Sequence, residues 1–573
     1  MYRQLLIGAL CVALVPMGAL AQRAAQLPQN AASPAVTPGS DAQKSGAADE
    51  QATPVFRTRS ALVQVPAVVT DKSSHHLHGL TKEDFKVLED GKEQRIASLE
   101  EISATNTQLT QSPDPPGTLS NFFLDGQQKL AVTVIALDTI NTPFLDQYSG
   151  RMELIKYLAH ALDPEHVFAL LIIGSKGVQV VGGLDSDPRT LIAALKKVSG
   201  ERSAMQGFSS EAQALAAAAN YGADLTGGVS MRLDPEARLR AFVLQSEALQ
   251  AGYYQERAIE ETMRAFLAIS WSLSGIPGRK SIIWATGSFP FALDFPSSLP
   301  GGKMSLLYTR TLQALNDAQV SVYPVDVRGL VGTIPTNTTT LAGVPDASAQ
   351  RWSQMSSLAS LTNFAEMTGG RAFYNNNDLG AGFKSAVDDS SSYYLLSYYA
   401  DHQNTKPGWR KLQVKVAREK VEVHARNGYM VSSATTSPQL THNADLDFAL
   451  SSPFDSTGLH LTMKWLGVEP DGDKKKVGFT LRLPATGLID EADQNRFDVD
   501  FVAQAIKNGA PAGNAAQTVK GTMPAATLAK VKSEGLFFSK MLELPPGEYQ
   551  VRFVVRDNLR GRIGSVSAPL LLQ

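Results

Sequence analysis

The centre of the chain alternates strand patterns with helical patterns, and this alternation limits the fold more than any other feature. Ala131–Leu137 is a continuous apolar run, which is typical of a parallel strand covered on both faces. After it, Phe144–Leu162 carries apolar residues at helical spacing, with Thr142 as N-cap and Pro143 in the first turn. Alternating strands and helices predict a doubly wound α/β sheet.

The same alternation continues as far as residue 374. Further strands are expected at 167–173, 178–181, 281–285, 320–325 and 371–374, which gives six in all. Helices are expected after Asp187-Pro188, at 304–318 and at 353–367, where Gly369-Gly370 stops the last one. We therefore assign residues 128–390 to one α/β domain, with a helical insertion at 200–258.

Strand patterns with short turns flank this domain on both sides. Residues 55–104 form an N-terminal β module with a hairpin turn at Asp90-Gly91. Residues 391–432 carry more strands, and we hypothesise that they complete this module, so that the α/β domain is inserted into it. A polar linker is expected at 433–444, and the strand spacing over 445–573 predicts a C-terminal antiparallel β-sandwich.

The N-terminal residues have the pattern of a secretory signal. An apolar run, Leu5–Val15, precedes Ala19-Leu20-Ala21, so we expect a signal peptide at 1–21 and a mature chain that begins at Gln22. Residues 22–54 lack a hydrophobic period and are expected to be a disordered linker. The single cysteine, Cys11, would leave with the signal peptide. These features predict an exported protein, periplasmic or secreted, that has no disulfide bond.

Charge and motifs exclude several classes of function. The formal net charge is −2 and the basic residues are scattered, which argues against a nucleic-acid or anionic-membrane partner. No second apolar stretch approaches the length of a membrane span. Metalloprotease, nucleophile-elbow and dinucleotide motifs are absent, and Gly275–Ser281 precedes a strand, unlike a phosphate-binding loop. We therefore expect a non-enzymatic protein that binds a protein or a cell-surface ligand.

Four stretches together carry a resemblance to a known family. They are Gly79–Phe85 with Glu89–Gly91, Leu137–Thr142, Gly275–Lys280, and Tyr323–Asp326 with Thr368–Arg371. In this order, over residues 56–430, the chain resembles the VWFA-related acidobacterial domain proteins. The resemblance implies an exported α/β domain of the von Willebrand A type, and most members of the family have no assigned ligand.

The resemblance also implies a place where a divalent metal would bind. Metal-dependent von Willebrand A domains use an Asp-x-Ser-x-Ser loop, a Thr from a second loop and an Asp after the fourth strand. Here Asp138 and Thr142 match the first loop, and Asp185 and Ser186 stand where the second is expected. Ile140 replaces the first hydroxyl, and Thr286-Gly287-Ser288 after the fourth strand offers no carboxylate.

Two interpretations of this degenerate site stay open from the sequence. If Asp185 supplies the missing charge, then Asp138, Thr142 and Asp185 or Ser186 bind Mg²⁺ or Ca²⁺ and accept a carboxylate from a partner. In the alternative, Thr142 only caps its helix and Asp138 is only a charge at a helix N-terminus. The first favours an adhesion-type binding protein, and the second favours a structural scaffold of the cell envelope with a vestigial metal site.

Two aromatic or imidazole clusters have simpler interpretations. Two imidazoles of the cluster His75, His76 and His78 could contribute to a Zn²⁺ site, but no third ligand is evident nearby, so a solvated turn is favoured. Tyr393-Tyr394 and Tyr398-Tyr399 lie in a strand pattern, where alternation favours core packing over a carbohydrate platform.

Overall fold

The computed structural model describes most of the chain after residue 59. The described ranges are 60–103, 117–121, 132–160, 167–185, 187–209, 212–213, 215–216, 234–289, 303–329, 345–375, 378–401, 408–431, 438–485, 488 and 495–573. The predicted signal peptide at 1–21 and linker at 22–54 lie outside these ranges.

The described chain is a mixed α/β protein. Its strands are β1 (Ser60–Asp71), β2 (Phe85–Glu89), β3 (Lys92–Gln94), β4 (Ile96–Ser103), β5 (Thr118–Ser120), β6 (Val132–Asp138), β7 (Val167–Gly174), β8 (Gly177–Asp185), β9 (Lys280–Thr286), β10 (Val320–Asp326), β11 (Ser392–Asp401), β12 (Gly408–Val416), β13 (Val421–Ala425), β14 (Gly428–Val431), β15 (Thr462–Asp471), β16 (Lys474–Leu483), β17 (Arg496–Lys507), β18 (Ala510–Thr522), β19 (Leu536–Leu544), β20 (Gly547–Asp557) and β21 (Ile563–Leu572). Its helices are α1 (Phe144–His160), α2 (Pro188–Lys197), α3 (Pro235–Leu273), α4 (Lys303–Asp317), α5 (Pro345–Thr368), α6 (Leu379–Ser391), α7 (Pro438–Ser451) and α8 (Ala525–Glu534).

The central sheet has five strands in the order β10-β9-β6-β7-β8. Strands β10, β9, β6 and β7 are parallel, and every residue of β6, β9 and β10 is buried. This agrees with the continuous apolar runs of the sequence, because a strand covered on both faces has no polar side.

The third strand, β8, returns from β7 by a tight hairpin and runs antiparallel to it. One expectation for this sheet is wrong. The sixth strand, expected at 371–374, is only an isolated bridge between Phe373 and Val325. The sheet therefore ends at β10 on one side and at an antiparallel edge strand on the other.

Helices cover both faces of the central sheet. On one face, α3, α4 and α5 pack on β6, β7, β9 and β10 around Trp284, Phe266 and Phe364, all of them fully buried. On the other face, α1, α2 and α6 pack on the same strands around Leu154, Leu195 and Phe383. Helices on both sides of a mostly parallel sheet are the layer arrangement that the alternating pattern predicts.

The strands before and after the α/β region form one β module. β1 pairs with β11 and β13, and β2 pairs with β12. The two resulting four-stranded sheets, β13-β1-β11-β4 and β14-β12-β2-β3, enclose one core that includes Val65, Val87 and Leu396. Strands from before and after the α/β region therefore pair with each other in both of these sheets.

The C-terminal strands form two four-stranded antiparallel sheets, β19-β16-β15-β5 and β18-β17-β20-β21, and the first of these includes β5 from before the α/β region. Phe479, Phe501 and Phe553 lie in the core between them. The polar linker expected at 433–444 is wrong in its second half, because Pro438 begins α7. Leu446, Ala449 and Leu450 of this helix pack against Trp271 and Val554, and this burial stabilises a helix whose first turns are polar.

Candidate functional site

The candidate site lies at the carboxyl edge of the central sheet, where doubly wound folds place their ligands. β6 ends at Asp138, and the loop Asp138–Thr142 leads into α1. β9 ends at Thr286 beside this loop, and Gly287 and Ser288 follow it. Both of the matched metal-site residues, Asp138 and Thr142, are therefore at this edge.

The Asp138 carboxylate is surrounded by hydrogen-bond donors. Its Oδ1 accepts from the backbone N–H of Asn141 at 3.0 Å. Its Oδ2 accepts from Asn141 Nδ2 at 2.8 Å, Trp284 Nε1 at 2.9 Å and Thr286 Oγ1 at 2.9 Å. Asp138 itself is 2 % exposed. These donors occupy the space around the oxygens that metal coordination would need.

Burial raises the pKa of Asp138 to about 6, against the opposing effect of its hydrogen bonds from Asn141, Trp284 and Thr286. The carboxylate is therefore ionised at neutral pH, where it is a strong acceptor for these donors. Below about pH 6 the group takes up a proton and loses part of its capacity to accept.

Thr142 and Asn141 join the loop to its neighbours. Thr142 Oγ1 accepts from the backbone N–H of Gly287 at 2.8 Å, so its hydroxyl fixes the loop after β9. Asn141 Nδ2 donates to Thr262 Oγ1 of α3 at 2.9 Å. Ser288 Oγ donates to the backbone oxygen of Asn141 at 3.0 Å. The residues that a metal would organise are organised here by direct hydrogen bonds.

Asp185 and Ser186 do not join this loop as the metal interpretation requires. Asp185 pairs with Phe168, at the start of β7, whereas Asp138 pairs with Ile173 near its end. Five residues of strand separate the two levels, which is about 16 Å. Because β8 is antiparallel, its end lies at the amino edge of the sheet. Ser186 lies outside the described residues.

The site therefore does not fit the divalent ion that the family resemblance implies. Of the residues predicted to bind the ion, only Asp138 brings a carboxylate to the carboxyl edge, and both of its oxygens accept hydrogen bonds from protein donors. Among the described residues, no group of three or more His, Cys, Asp or Glu side chains is placed to hold a metal ion.

Glu201, which the sequence analysis did not single out, takes part in the same edge. Its Oε1 accepts from Thr139 Oγ1 at 2.7 Å and from the backbone N–H of Ser175 at 2.9 Å. Gln147 Nε2 donates to the backbone oxygens of Thr139, Thr142 and Glu201. Glu201 follows α2 in the sequence without any motif around it, so only the fold brings it to the loop.

A cleft of about 330 Å³ opens beside this loop. Leu137, Ala285 and Val327 line its floor at the strand ends, and the first turns of α1 form one wall. Three apolar side chains of that wall are exposed to solvent: Phe144 at 49 %, Leu145 at 78 % and Tyr148 at 57 %. Large apolar side chains grouped around a cleft mark a binding surface more often than a bare solvent face.

Helix α3 adds a second apolar surface beyond the same edge. Thr262 contacts the Asp138 loop at the carboxyl edge, and the part of the helix before it is roughly 40 Å long. In this part of the helix, six large apolar side chains are 47–63 % exposed: Leu239, Phe242, Val243, Leu249, Tyr253 and Tyr254. The helical part of the insertion expected at 200–258 thus carries an exposed apolar surface.

No protein-family model and no curated protein matches this chain. The resemblance to the acidobacterial family therefore rests on the four stretches named above.

Those stretches have structural roles in the described chain. Gly275–Lys280 connects α3 to β9, as a helix stop and turn would. Arg279 is 1 % exposed, and its Nη2 donates to Tyr323 Oη and to the backbone oxygen of Gly369, both at 2.7 Å. The backbone N–H of Arg279 donates to Tyr393 Oη of β11. This motif fastens the sheet to the β module.

The histidine cluster and the tyrosine pairs are divided by the fold. His75 and His78 are exposed and lie beside Asp71 and Glu101, as expected of a turn. The solvated-turn expectation is wrong for His76, whose Nε2 lies 3.6 Å from the buried Asp389. Of the four tyrosines in β11, only Tyr399 is exposed, which agrees with core packing.

Proposed function

We propose that this chain is an exported, non-enzymatic binding protein whose α/β domain docks a protein partner at the carboxyl edge of its sheet without a metal ion. The partner would insert an apolar side chain into the cleft beside the Asp138 loop. The observation that carries the proposal is the cleft together with its exposed apolar wall at Phe144, Leu145 and Tyr148.

The chemistry of the edge supports apolar docking over coordination. A metal-dependent adhesion site needs an ion with a free position for the partner's carboxylate, whereas Asp138 and Thr142 are engaged with donors of their own chain. The cleft wall instead offers aromatic and aliphatic surface. A partner with a large apolar or aromatic anchor gains most from such a cleft.

The architecture supports two finer statements of the fold. A mostly parallel sheet with helices on both faces is what a von Willebrand A-type domain would present, and we propose this assignment for residues 128–390. Two antiparallel sheets that share one core support a C-terminal β-sandwich over residues 445–573. No described helix is long and apolar enough to cross a membrane. We infer export from the predicted signal peptide, and N-terminal sequencing of the mature chain should begin at Gln22.

Site-specific photocrosslinking in the producing cells tests the docking surface. A photoreactive residue at position 145 should form one reproducible adduct with a partner protein, and chelator should leave its yield unchanged. The same residue at position 466, where Leu466 is 59 % exposed in the C-terminal region, is the matched control and should not form that adduct. Leu145→Glu should abolish recovery of the same partner on the wild-type bait, while Leu466→Glu should not.

The outcomes separate the competing functions. Loss of the adduct in chelator would overturn the metal-independent mechanism. An adduct that is equally strong from position 466 would overturn the assigned surface. If position 145 forms no adduct at all, the alternative of a structural envelope scaffold is favoured.

A further inference from the structure

A second cleft lies at the opposite, amino edge of the central sheet. It has a volume of about 370 Å³ and lies where the end of α4, the start of β1 and the turn from β13 to β14 meet. This cleft is therefore shared between the α/β region and the β module. Its volume is within the range of small-molecule sites, about 300–1,000 Å³.

The lining of this cleft is rich in side-chain amides. Four amide side chains face it together with one carboxylate and one guanidinium: Gln64, Gln313, Asn316, Gln319, Asp317 and Arg426. Asp317 is exposed at the mouth. An amide offers both a hydrogen-bond donor and an acceptor, so this lining can satisfy a ligand whose groups are themselves both donors and acceptors.

Some of these polar groups are buried without a partner. Asn316 is 7 % exposed, and its Nδ2 makes no hydrogen bond within the described part of the chain. Arg426 donates from Nη2 to the backbone oxygen of Gln64 at 2.7 Å, but its Nε has no partner among the described residues. Buried donors are nearly always satisfied, and here they lie beside an open cleft.

Gln319 adds backbone strain at the same place. Its φ is 52°, the left-handed region that favours glycine at the end of a helix. Such a conformation is strained for a non-glycine residue and is often retained at binding sites. Here the glutamine side chain reaches across the cleft, and its Nε2 donates to Gln64 Oε1 at 2.8 Å. A glycine would relieve the strain and lose this amide bridge.

We propose that this cleft binds a saccharide. Each hydroxyl of a sugar is both a donor and an acceptor, which matches the amide lining. Asp317 adds a group that only accepts hydrogen bonds, and Arg426 adds a group that only donates them. Leu62 and Met430, which also line the cleft, offer apolar surface to the C–H face of a sugar ring. The site is independent of the protein-docking surface, because it lies at the other edge of the sheet.

Saturation-transfer NMR with the full-length chain tests the proposal. The probes are glucose, galactose, N-acetylglucosamine and glucuronate. Each is used at about 10 mM, so that binding with a Kd as weak as about 1 mM is detected. At least one probe should show transfer. Gln313→Leu and Asn316→Leu should each weaken that binding about tenfold or more. Gln250→Leu, at an exposed amide of α3, is the matched control and should leave it unchanged.

Because Asn316 is buried, its variant could lose the fold, and Gln313→Leu at a half-buried position serves as the second test. Circular dichroism verifies that each variant is folded. Absence of transfer with every probe would overturn the proposal, and so would transfer that both folded variants retain. Glycine and glutamate are included as zwitterionic probes, and their binding in place of the sugars would overturn it as well.

Discussion

At the scale of single residues, the Asp138 carboxylate connects the β6–α1 loop to the end of β9. It accepts hydrogen bonds from Asn141, Trp284 and Thr286 while fully buried. Asp138→Ala would leave three side-chain donors without their acceptor, and each unsatisfied buried group costs about 1–3 kcal/mol. We expect the free energy of unfolding in urea to fall by about 3 kcal/mol or more. Asp146→Ala, at the first turn of α1, is the control and should change it by less than about 0.5 kcal/mol.

The same contacts predict the response to divalent ions. A ligand that bound only the folded state at about 100 times its Kd would stabilise the protein by about 2.7 kcal/mol. Because the carboxylate oxygens face protein donors, we expect Mg²⁺ or Ca²⁺ at about 10 mM, above the Kd of weak extracellular Ca²⁺ sites, to leave Tm unchanged. A rise in Tm that Asp138→Ala abolished would restore the metal interpretation.

At the scale of elements, α5 ends at Gly369-Gly370 as predicted, and the two glycines are needed there for different reasons. Gly369 has a φ of +83° and ends the helix as expected. Gly370 follows at a close approach, since a Cβ there would lie 2.0 Å from the backbone oxygen of Val322. Gly370→Ala should therefore lower the free energy of unfolding by about 1–3 kcal/mol or more. Gly183→Ala, with open space around its Cβ position, should change it little, and an equal loss in both would contradict this cause.

A strand or helix can be predicted from the sequence where its hydrophobic pattern reflects its burial. An element without such a pattern cannot. β6, β9 and β10 are apolar throughout because both of their faces are covered. β18 is exposed over nearly its whole length and contains alanine, glycine and polar residues, so it carries no alternation. Helix α6 was missed because Gly380 and Gly382 weaken its propensity, and tertiary packing of Phe383 offsets them.

The candidate site could also be predicted only in part. Asp138 and Thr142 lie in one loop directly after β6, so the strand pattern before them predicts their position at the carboxyl edge. The position of Asp185 could not be predicted, because it depends on the direction of β8. The hairpin at Ser175-Lys176 sets that direction and lacks the usual Asn-Gly signal. Long-range partners such as Trp284 and Glu201 have no local signature at all.

At the scale of the whole molecule, buried polar contacts fasten the modules to one another. Thr457 Oγ1 donates to the backbone oxygen of Ser272 and accepts from the N–H of Gly275, which joins the C-terminal region to α3. Arg556 Nη2 and Nε donate to Asp445 Oδ2, and Arg310 of α4 contacts the other oxygen of the same carboxylate. Such networks fix the relative placement of the sheets only while every member keeps its charge.

The junction of the β module with the α/β region contains two histidines, His76 and His424, whose pKa burial lowers. Asp389 of α6 is 1 % exposed, and its oxygens lie 3.6 Å from His76 Nε2 and 3.4 Å from Arg371 Nε. Burial lowers the pKa of His76, opposed by Asp389 and Asp388. Burial and the Arg371 charge lower the pKa of His424, opposed by Asp389 and Glu422, with Arg279 lowering it further.

A histidine whose pKa is lowered by folding binds its proton less readily in the folded state than in the unfolded chain. The stability it contributes is therefore complete above the ordinary pKa of 6.5 and is lost as the pH falls below it. Asp138 acts in the opposite direction, because its raised pKa favours the folded state at low pH, so the test must compare variants with the wild type at each pH. We expect the free energy of unfolding of His76→Asn/His424→Asn to fall less steeply between about pH 7 and pH 5 than that of the wild type. His75→Asn, at a side chain that is 79 % exposed, should follow the wild-type curve. If the double variant runs parallel to the wild type across this range, the junction does not sense pH through these histidines.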